Sequence, residues 1–130
     1  MRAKSGCPVQ ATVNVLRGKW KVSILWHLAF GPKRFAEIRN LLHGISEKVL
    51  AAQLRQLEKD AVIARQVTPG SPPKVTYSLS GEGRQLVEIM QDLCNWGSSH
   101  FGIAPTMGTP PWLRQNAHAN SHAPKIAQHR

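Results

Sequence analysis

The stretch that decides the fold is LHGISEKVLAAQLRQLEKD, residues 42–60. Gly44 supplies the glycine that a tight turn between two helices needs, and Ser46 is a preferred residue for capping the helix that follows. Leucines then recur at spacings of four and three residues, at Leu50, Leu54 and Leu57. Because this spacing places them on one side of a helix, the stretch predicts a turn followed by an amphipathic helix that faces a hydrophobic core.

The opposite face of the same helix is basic. Spacings of four, three and four residues align its side chains into a stripe, formed by Lys48, Ala52, Arg55 and Lys59. Such a helix can enter the major groove of DNA, with its early residues nearest the base edges: Ser46, Glu47, Lys48 and Ala51. The stripe alone does not decide between this role and an ordinary solvated helix face.

Three further helices are predicted before this stretch. Periodic apolar residues, bounded by glycine and proline, place them at residues 8–18, 20–28 and 35–44. After the stretch, residues 62–68 and 74–79 read as two strands around a loop rich in proline and glycine. A long helix then follows, with Ser80 as its N-terminal cap, and ends near Gly97 or Gly102.

The order of elements is therefore four helices, a hairpin and a final helix. This order predicts a mainly α protein with a small β-hairpin (α+β), a winged helix-turn-helix with an added helix at each end. Arg65 and Lys74 lie beside the tip of the hairpin, where they would reach the DNA backbone or the minor groove. A glycine-turned helix pair, a basic outer face and a basic hairpin in this order favour double-stranded DNA as the partner.

Composition agrees with a polyanionic partner. The chain has 130 residues, enough for one domain, and its 17 basic and 7 acidic residues give a formal charge of +10. Residues 1–102 hold 14 of the basic residues and all 7 acidic ones, so +7 of this charge belongs to them. A basic excess favours nucleic acid because each neutralised phosphate releases counterions, although charge also simply keeps proteins soluble.

A change of composition near Gly102 predicts the domain organisation. Residues 1–6 are expected to be a flexible N-terminus, residues 7–102 the DNA-binding and dimerisation domain, and residues 103–130 a disordered basic tail with a local anchor at Trp112-Leu113. No secretory signal or membrane span is visible, so a cytoplasmic location is expected. The tail histidines His118, His122 and His129 are weak metal candidates, and no metal is predicted.

Nothing in the sequence favours an enzyme. The acidic residues fall on predicted helical surfaces or helix ends, and no nucleophile elbow, phosphate-binding loop or metal motif is present. Cys7 and Cys94 lie far apart without a CxxC motif, which argues against a zinc site and a structural disulfide. We therefore expect a non-catalytic protein without a cofactor.

The final helix indicates a second copy of the chain. Its apolar residues cover two faces, one with Leu86, Ile89, Leu93 and Trp96, the other with Val87, Met90 and Cys94. A helix that is apolar over so wide an arc must be covered on two sides, which one small domain cannot easily do. A twofold dimer would place two recognition helices about 34 Å apart, one turn of DNA.

From Cys7 to Gly102 the sequence resembles the HxlR-type regulators, a winged-helix group close to the MarR regulators. The matching stretches are CPV at 7–9, GKWK at 18–21, ILWHL at 24–28, GPKRF at 31–35, GISEKVL at 44–50, QLRQLE at 53–58, PPKVTYSL at 72–79 and LCNWG at 93–97. The chain departs from the family at Ala61, where a glycine is more common.

The resemblance implies a homodimer that is joined by the first and last helices and binds a palindromic operator. It implies a recognition helix from Ser46 to about Asp60, a short strand at Arg34 before the third helix, and Lys74 on the wing. The resemblance and the apolar faces of the final helix together predict the residues of the dimer interface, which are Val9, Val13, Leu86, Ile89, Met90, Leu93 and Trp96.

Cys7 has two interpretations. Some members of the family sense oxidants or electrophiles through a cysteine at this place, and the dipole of the first helix stabilises a thiolate there. Alternatively, Cys7 is a small apolar residue packed where two copies meet. A second function also stays open, a winged helix that binds proteins without sequence-specific DNA binding; that function predicts acidic or apolar residues on the outward face of the fourth helix.

Overall fold

A computed structural model describes residues 6–113 of the chain. The helices are α1 (Pro8–Leu16), α2 (Lys21–Leu28), α3 (Phe35–Leu41), α4 (Glu47–Lys59) and α5 (Gly81–Phe101), and the strands are β1 (Lys33–Arg34), β2 (Ile63–Thr68) and β3 (Lys74–Leu79). The predictions for residues 1–5 and 114–130, including the three tail histidines, lie outside the described residues. The predicted order of helices, hairpin and final helix is confirmed.

The three strands form one antiparallel sheet in the order β1-β3-β2. The predicted hairpin is its larger part, with Ile63 opposite Leu79 and Thr68 opposite Lys74. β1 adds two residues to the other edge of β3, pairing Lys33 with Tyr77 and Arg34 with Thr76. The mainly helical winged helix-turn-helix predicted from the sequence is thus confirmed, with a third short strand where the family resemblance put it.

Backbone contacts divide the chain into two compact units, Met1–Val87 and Glu88–Arg130. In the first unit the predicted inner face of α4 is buried, as Leu50, Leu54 and Leu57 are almost completely hidden from solvent. They belong to a core that also holds Ile24, Leu25, Leu28, Ile38, Val62, Ile63 and Val87. Full burial of a leucine or isoleucine contributes about 1.5–3 kcal/mol, so this core fixes the orientation of α4.

The second unit contains the C-terminal part of α5 and the residues that follow it. Ile89, Leu93 and Trp96 are exposed along the helix, whereas Met90 is buried. Pro110 and Leu113 are also buried, and residues 111–113 form a helical turn. Leu113 is thus the buried member of the anchor predicted at Trp112-Leu113, while the start of a disordered tail at residue 103 stays a prediction.

The start of α5 is joined tightly to the start of β2. The Ser80 hydroxyl donates to the Ala61 carbonyl oxygen (2.6 Å) and accepts from the Gly83 N–H (3.0 Å), which confirms Ser80 as a cap. The Ser80 N–H donates to the Val62 carbonyl oxygen (3.1 Å). A Cβ added to Gly83 would overlap that same oxygen, so only glycine fits at this position.

Ala61, where the family more often has glycine, has a left-handed backbone with φ of 64°. It follows the last turn of α4, and its N–H donates to the Glu58 carbonyl oxygen (3.0 Å). A residue with a Cβ adopts this conformation at a cost of about 1 kcal/mol relative to glycine. The departure from the family therefore carries local backbone strain.

Within residues 6–113, no helix combines the length and the apolar character that a membrane crossing requires. The same residues bring together no group of three or more histidine, cysteine, aspartate or glutamate side chains that could hold a metal ion.

Candidate nucleic-acid interface

The turn between α3 and α4 sets the position of the recognition helix. Gly44 has φ of 91°, a left-handed conformation that glycine adopts without strain, and Ile45 beside it is buried. The Ser46 hydroxyl accepts a hydrogen bond from the Val49 N–H (3.1 Å), which confirms the predicted cap. The turn therefore holds the first residues of α4 at the surface while the leucines behind them enter the core.

The outward face of α4 carries the predicted basic stripe. Lys48, Arg55 and Lys59 are exposed, and the small residues Ala51 and Ala52 between them are partly exposed. None of the three cations has a carboxylate partner within residues 6–113. Their charges are thus available to phosphates or base edges, and the two alanines leave room for close approach.

The sheet separates the other predicted cations onto two faces. Residues directly opposite each other in a sheet point to the same side, and successive residues alternate. Arg34 pairs with Thr76, and Lys74 lies two residues from Thr76 on β3, so Arg34 and Lys74 share one face. Arg65 pairs with Tyr77, whose face is turned to the core, although Arg65 itself is exposed. The sequence analysis expected both Arg65 and Lys74 beside the tip of the hairpin. Lys74 lies there, opposite Thr68, but Arg65 lies in the middle of β2, so its placement was wrong.

Glu47, predicted to lie near the base edges, is exposed and bound by an arginine that the sequence analysis did not select. The Arg39 guanidinium on α3 donates from Nη1 to Glu47 Oε2 at 2.8 Å. Glu37 has a structural role instead, as it accepts from the Arg34 N–H (2.7 Å) at the start of α3. No periodicity rule links two side chains across a turn, so only the sign of their charges pointed to the pair.

His27 on α2 adds no positive charge to the surface at neutral pH. Burial of its imidazole, together with the nearby charge of Lys33, lowers the pKa of His27 below its usual value of 6.5. The cationic character of the candidate interface therefore comes from lysine and arginine.

The residues predicted for a dimer interface fall into two groups. Val9 and Val13 on α1 are exposed, as are Ile89, Leu93 and Trp96 on α5. Leu86 and Met90 are buried within the single chain, so they have little surface left to give to a second copy. Near the end of α5 the Trp96 ring stacks on His100 at 4.6 Å and meets the edge of Phe101 at 6.0 Å.

Both cysteines are free thiols. Cys7 is exposed at the N-cap position of α1, and Cys94 on α5 is partly exposed. The Cys7 thiol is therefore open to a reagent from solvent in the single chain.

Comparison with known proteins places this geometry in a family. The family model described as HxlR-like helix-turn-helix matches residues 15–104. YtcD of Bacillus subtilis, an uncharacterized HTH-type transcriptional regulator, is 48% identical over 100 residues, which cover 77% of this chain and 79% of YtcD.

Solved structures of transcriptional regulators are also similar to this chain. The redox regulator HypR in its reduced form is 42% identical, with a TM-score of 0.68, covering 72% of this chain and 92% of that one. The reduced transcriptional regulator YodB of B. subtilis is 35% identical, with a TM-score of 0.68, covering 74% of this chain and 95% of that one. The chain accordingly belongs to the HxlR-like helix-turn-helix family of transcriptional regulators.

Proposed function

We propose that this regulator binds a palindromic operator as a homodimer, with α4 in the major groove and the β2–β3 hairpin on the backbone or minor groove. The observation that carries the proposal is the outward face of α4, where Lys48, Arg55 and Lys59 are exposed without carboxylate partners in residues 6–113. Phosphate contacts would position the protein, and the residues at the start of α4 would read bases: Ser46, Glu47, Lys48 and Ala51.

The supporting contacts come from the sheet. Arg34 and Lys74 share one face of the sheet and Arg65 lies on the other, and each would bind phosphates of the DNA backbone. Lys59 and Ala52 complete the proposed site, the first as a phosphate contact and the second as a residue small enough for close approach. A twofold dimer would present two such sites to the two halves of a palindrome.

Exposed apolar residues support the dimer. Val9 and Val13 leave α1 with an apolar surface, and Ile89, Leu93 and Trp96 do the same on α5. Large exposed apolar patches mark interaction sites because water solvates them poorly. We propose that a second copy covers these residues, whereas Leu86 and Met90 are already buried within the chain.

The alternative function is a winged helix that binds a protein. It requires an acidic or apolar outward face on α4, whereas that face is basic. A gel-shift experiment with genomic fragments of the source organism separates the two functions. We expect retention of some fragments and its loss as salt is raised, since salt competes with phosphate contacts. Absence of salt-sensitive retention would favour the protein-binding alternative.

Arg55→Ala is expected to weaken operator binding. If the guanidinium bonds a guanine, the binding free energy becomes less favourable by about 1–3 kcal/mol. If it binds a phosphate, the magnitude of the slope of log affinity against log salt decreases by about one. Binding titrations at several salt concentrations distinguish these results. Arg17→Ala, which removes an exposed arginine from the turn after α1, is the matched control and should retain wild-type binding. An unchanged affinity and slope for Arg55→Ala would mean that α4 does not dock as proposed.

Cys7 is the proposed sensor of oxidants or electrophiles. Its thiol is exposed at the start of α1, and the chain is similar to HypR, which is a redox regulator. Diamide oxidises two thiols to one disulfide and is itself reduced, so it is expected to join Cys7 to a second thiol and to change operator affinity in the wild type. The change should be smaller in Cys94→Ser, where the remaining partner is Cys7 of a second copy, and absent in Cys7→Ser. Equal affinity with and without diamide in the wild type would contradict a sensing role.

A further inference from the structure

One ion pair joins the two helices of the helix-turn-helix. Arg39, in the last turn of α3, donates to the Glu47 carboxylate at the first position of α4, with 2.8 Å between Nη1 and Oε2. Both side chains remain largely in contact with solvent, with exposed fractions of 47% and 68%. The pair therefore sits on the surface beside the face of α4 proposed to meet DNA.

Stability is a weak reason for this pair. Ion pairs at such exposure contribute little, because water screens the attraction and two long side chains lose freedom. The pair also leaves bonding capacity unused, since Glu47 Oε1 has no hydrogen-bond partner among residues 6–113. That unused oxygen is an acceptor at the N-terminal end of the proposed recognition helix.

A carboxylate in this place needs its charge compensated. Phosphates on both sides of the major groove repel an isolated glutamate, which makes an acidic residue on a DNA-facing helix costly. The Arg39 guanidinium lies against the carboxylate and neutralises it. The same 2.8 Å contact restricts the glutamate side chain, which lowers the entropy lost when a base is bound.

We infer that Glu47 reads a cytosine in each half-site, accepting a hydrogen bond from the exocyclic N4 amino group through Oε1. Among the major-groove edges, cytosine offers its N4 amino donor to a carboxylate, whereas guanine offers only acceptors. Adenine also has an amino donor at N6, but its neighbouring N7 is an acceptor that repels a carboxylate oxygen. Arg39 is a positioning residue, which orients Glu47 and cancels its charge. The inference rests on the proposed docking of α4 and assigns one base preference to one residue.

The test is selection of bound duplexes from a random pool by the full-length chain, followed by sequencing. The wild type is expected to enrich cytosine at one position of each half-site. Glu47→Gln should lower that preference about tenfold or more and shift it toward adenine, which a glutamine amide bonds through N6 and N7. Preferences at the other positions should remain. Glu58→Gln, the same change at an exposed site nearer the end of α4, should select the wild-type sequences.

Arg39→Gln tests the positioning role. We expect the cytosine preference to weaken at the same position, with partial recovery in Arg39→Lys, while the thermal unfolding temperature stays near that of the wild type. A purely structural ion pair would move the unfolding temperature and leave the base preference intact.

The outcomes separate this inference from the proposed function. If the wild type selects an operator and Glu47→Gln selects the identical motif, the inference that Glu47 reads cytosine is overturned, whereas the proposed function stands. An unchanged motif from Arg39→Gln would overturn the positioning role. If the folded wild type enriched no duplex at all, both the proposed function and this inference would fall.

Discussion

Gly83→Ala is expected to lower the free energy of unfolding by about 3 kcal/mol, a large part of the 5–15 kcal/mol typical of a small domain. The added Cβ would overlap the Val62 carbonyl oxygen and lie 3.2 Å from the Leu79 side chain. That carbonyl also accepts from the Ser80 N–H, so the backbone cannot move away without losing a hydrogen bond. Urea denaturation followed by circular dichroism measures the effect.

Gly81→Ala is the matched control for this substitution. Gly81 begins α5 two residues earlier, and a Cβ there meets no atom within 4 Å. Alanine has the higher helix propensity, so the control should be neutral or stabilise by up to about 1 kcal/mol. Equal unfolding midpoints for the two variants would mean that the backbone between β2 and α5 shifts to accommodate the added Cβ without loss of stability.

Leu93→Asp is expected to convert the proposed dimer into monomers. The side chain lies between Ile89 and Trp96 in the exposed apolar surface of α5, and burial of an unpaired carboxylate there would oppose association. Once one half of a dimer is bound, the other half is held close to the second half-site, whereas a second monomer must bind independently. Separation into monomers should therefore weaken operator binding by about 100-fold or more. Sedimentation and gel-shift titration of the same samples measure the two effects.

Asn95→Asp introduces the same charge on another side of α5 and serves as the control. Asn95 Oδ1 accepts from the Gln91 side chain (3.0 Å), a role that a carboxylate oxygen can also fill. This variant should remain dimeric and bind the operator. A dimeric Leu93→Asp protein with wild-type affinity would contradict the proposed interface.

The sequence predicted best those features that depend on neighbouring residues. The spacing of Leu50, Leu54 and Leu57 predicted the inner face of α4, and hydroxyl side chains predicted the caps at Ser46 and Ser80. Each of these signals needs only the period of a helix or the geometry of its first turn.

Features that depend on distant residues were harder to predict. The Arg39–Glu47 pair forms across a turn, and the pairing of β1 with β3 joins residues more than forty positions apart. The final helix showed two apolar faces in the sequence, yet no pattern told which would be buried within the chain. Packing decided that Leu86 and Met90 are inside and that Ile89 and Leu93 are exposed.

On α4, the residues that pack in the core are separate from the residues proposed to contact DNA. Its leucines hold the helix in the core, whereas its lysines, arginine and alanines contribute little to that core. Replacing outward residues can therefore alter which DNA sequence is bound at small cost in folding. A gene duplicate of this chain could acquire a new operator through a few changes on one surface, which helps to explain how one scaffold serves many regulators.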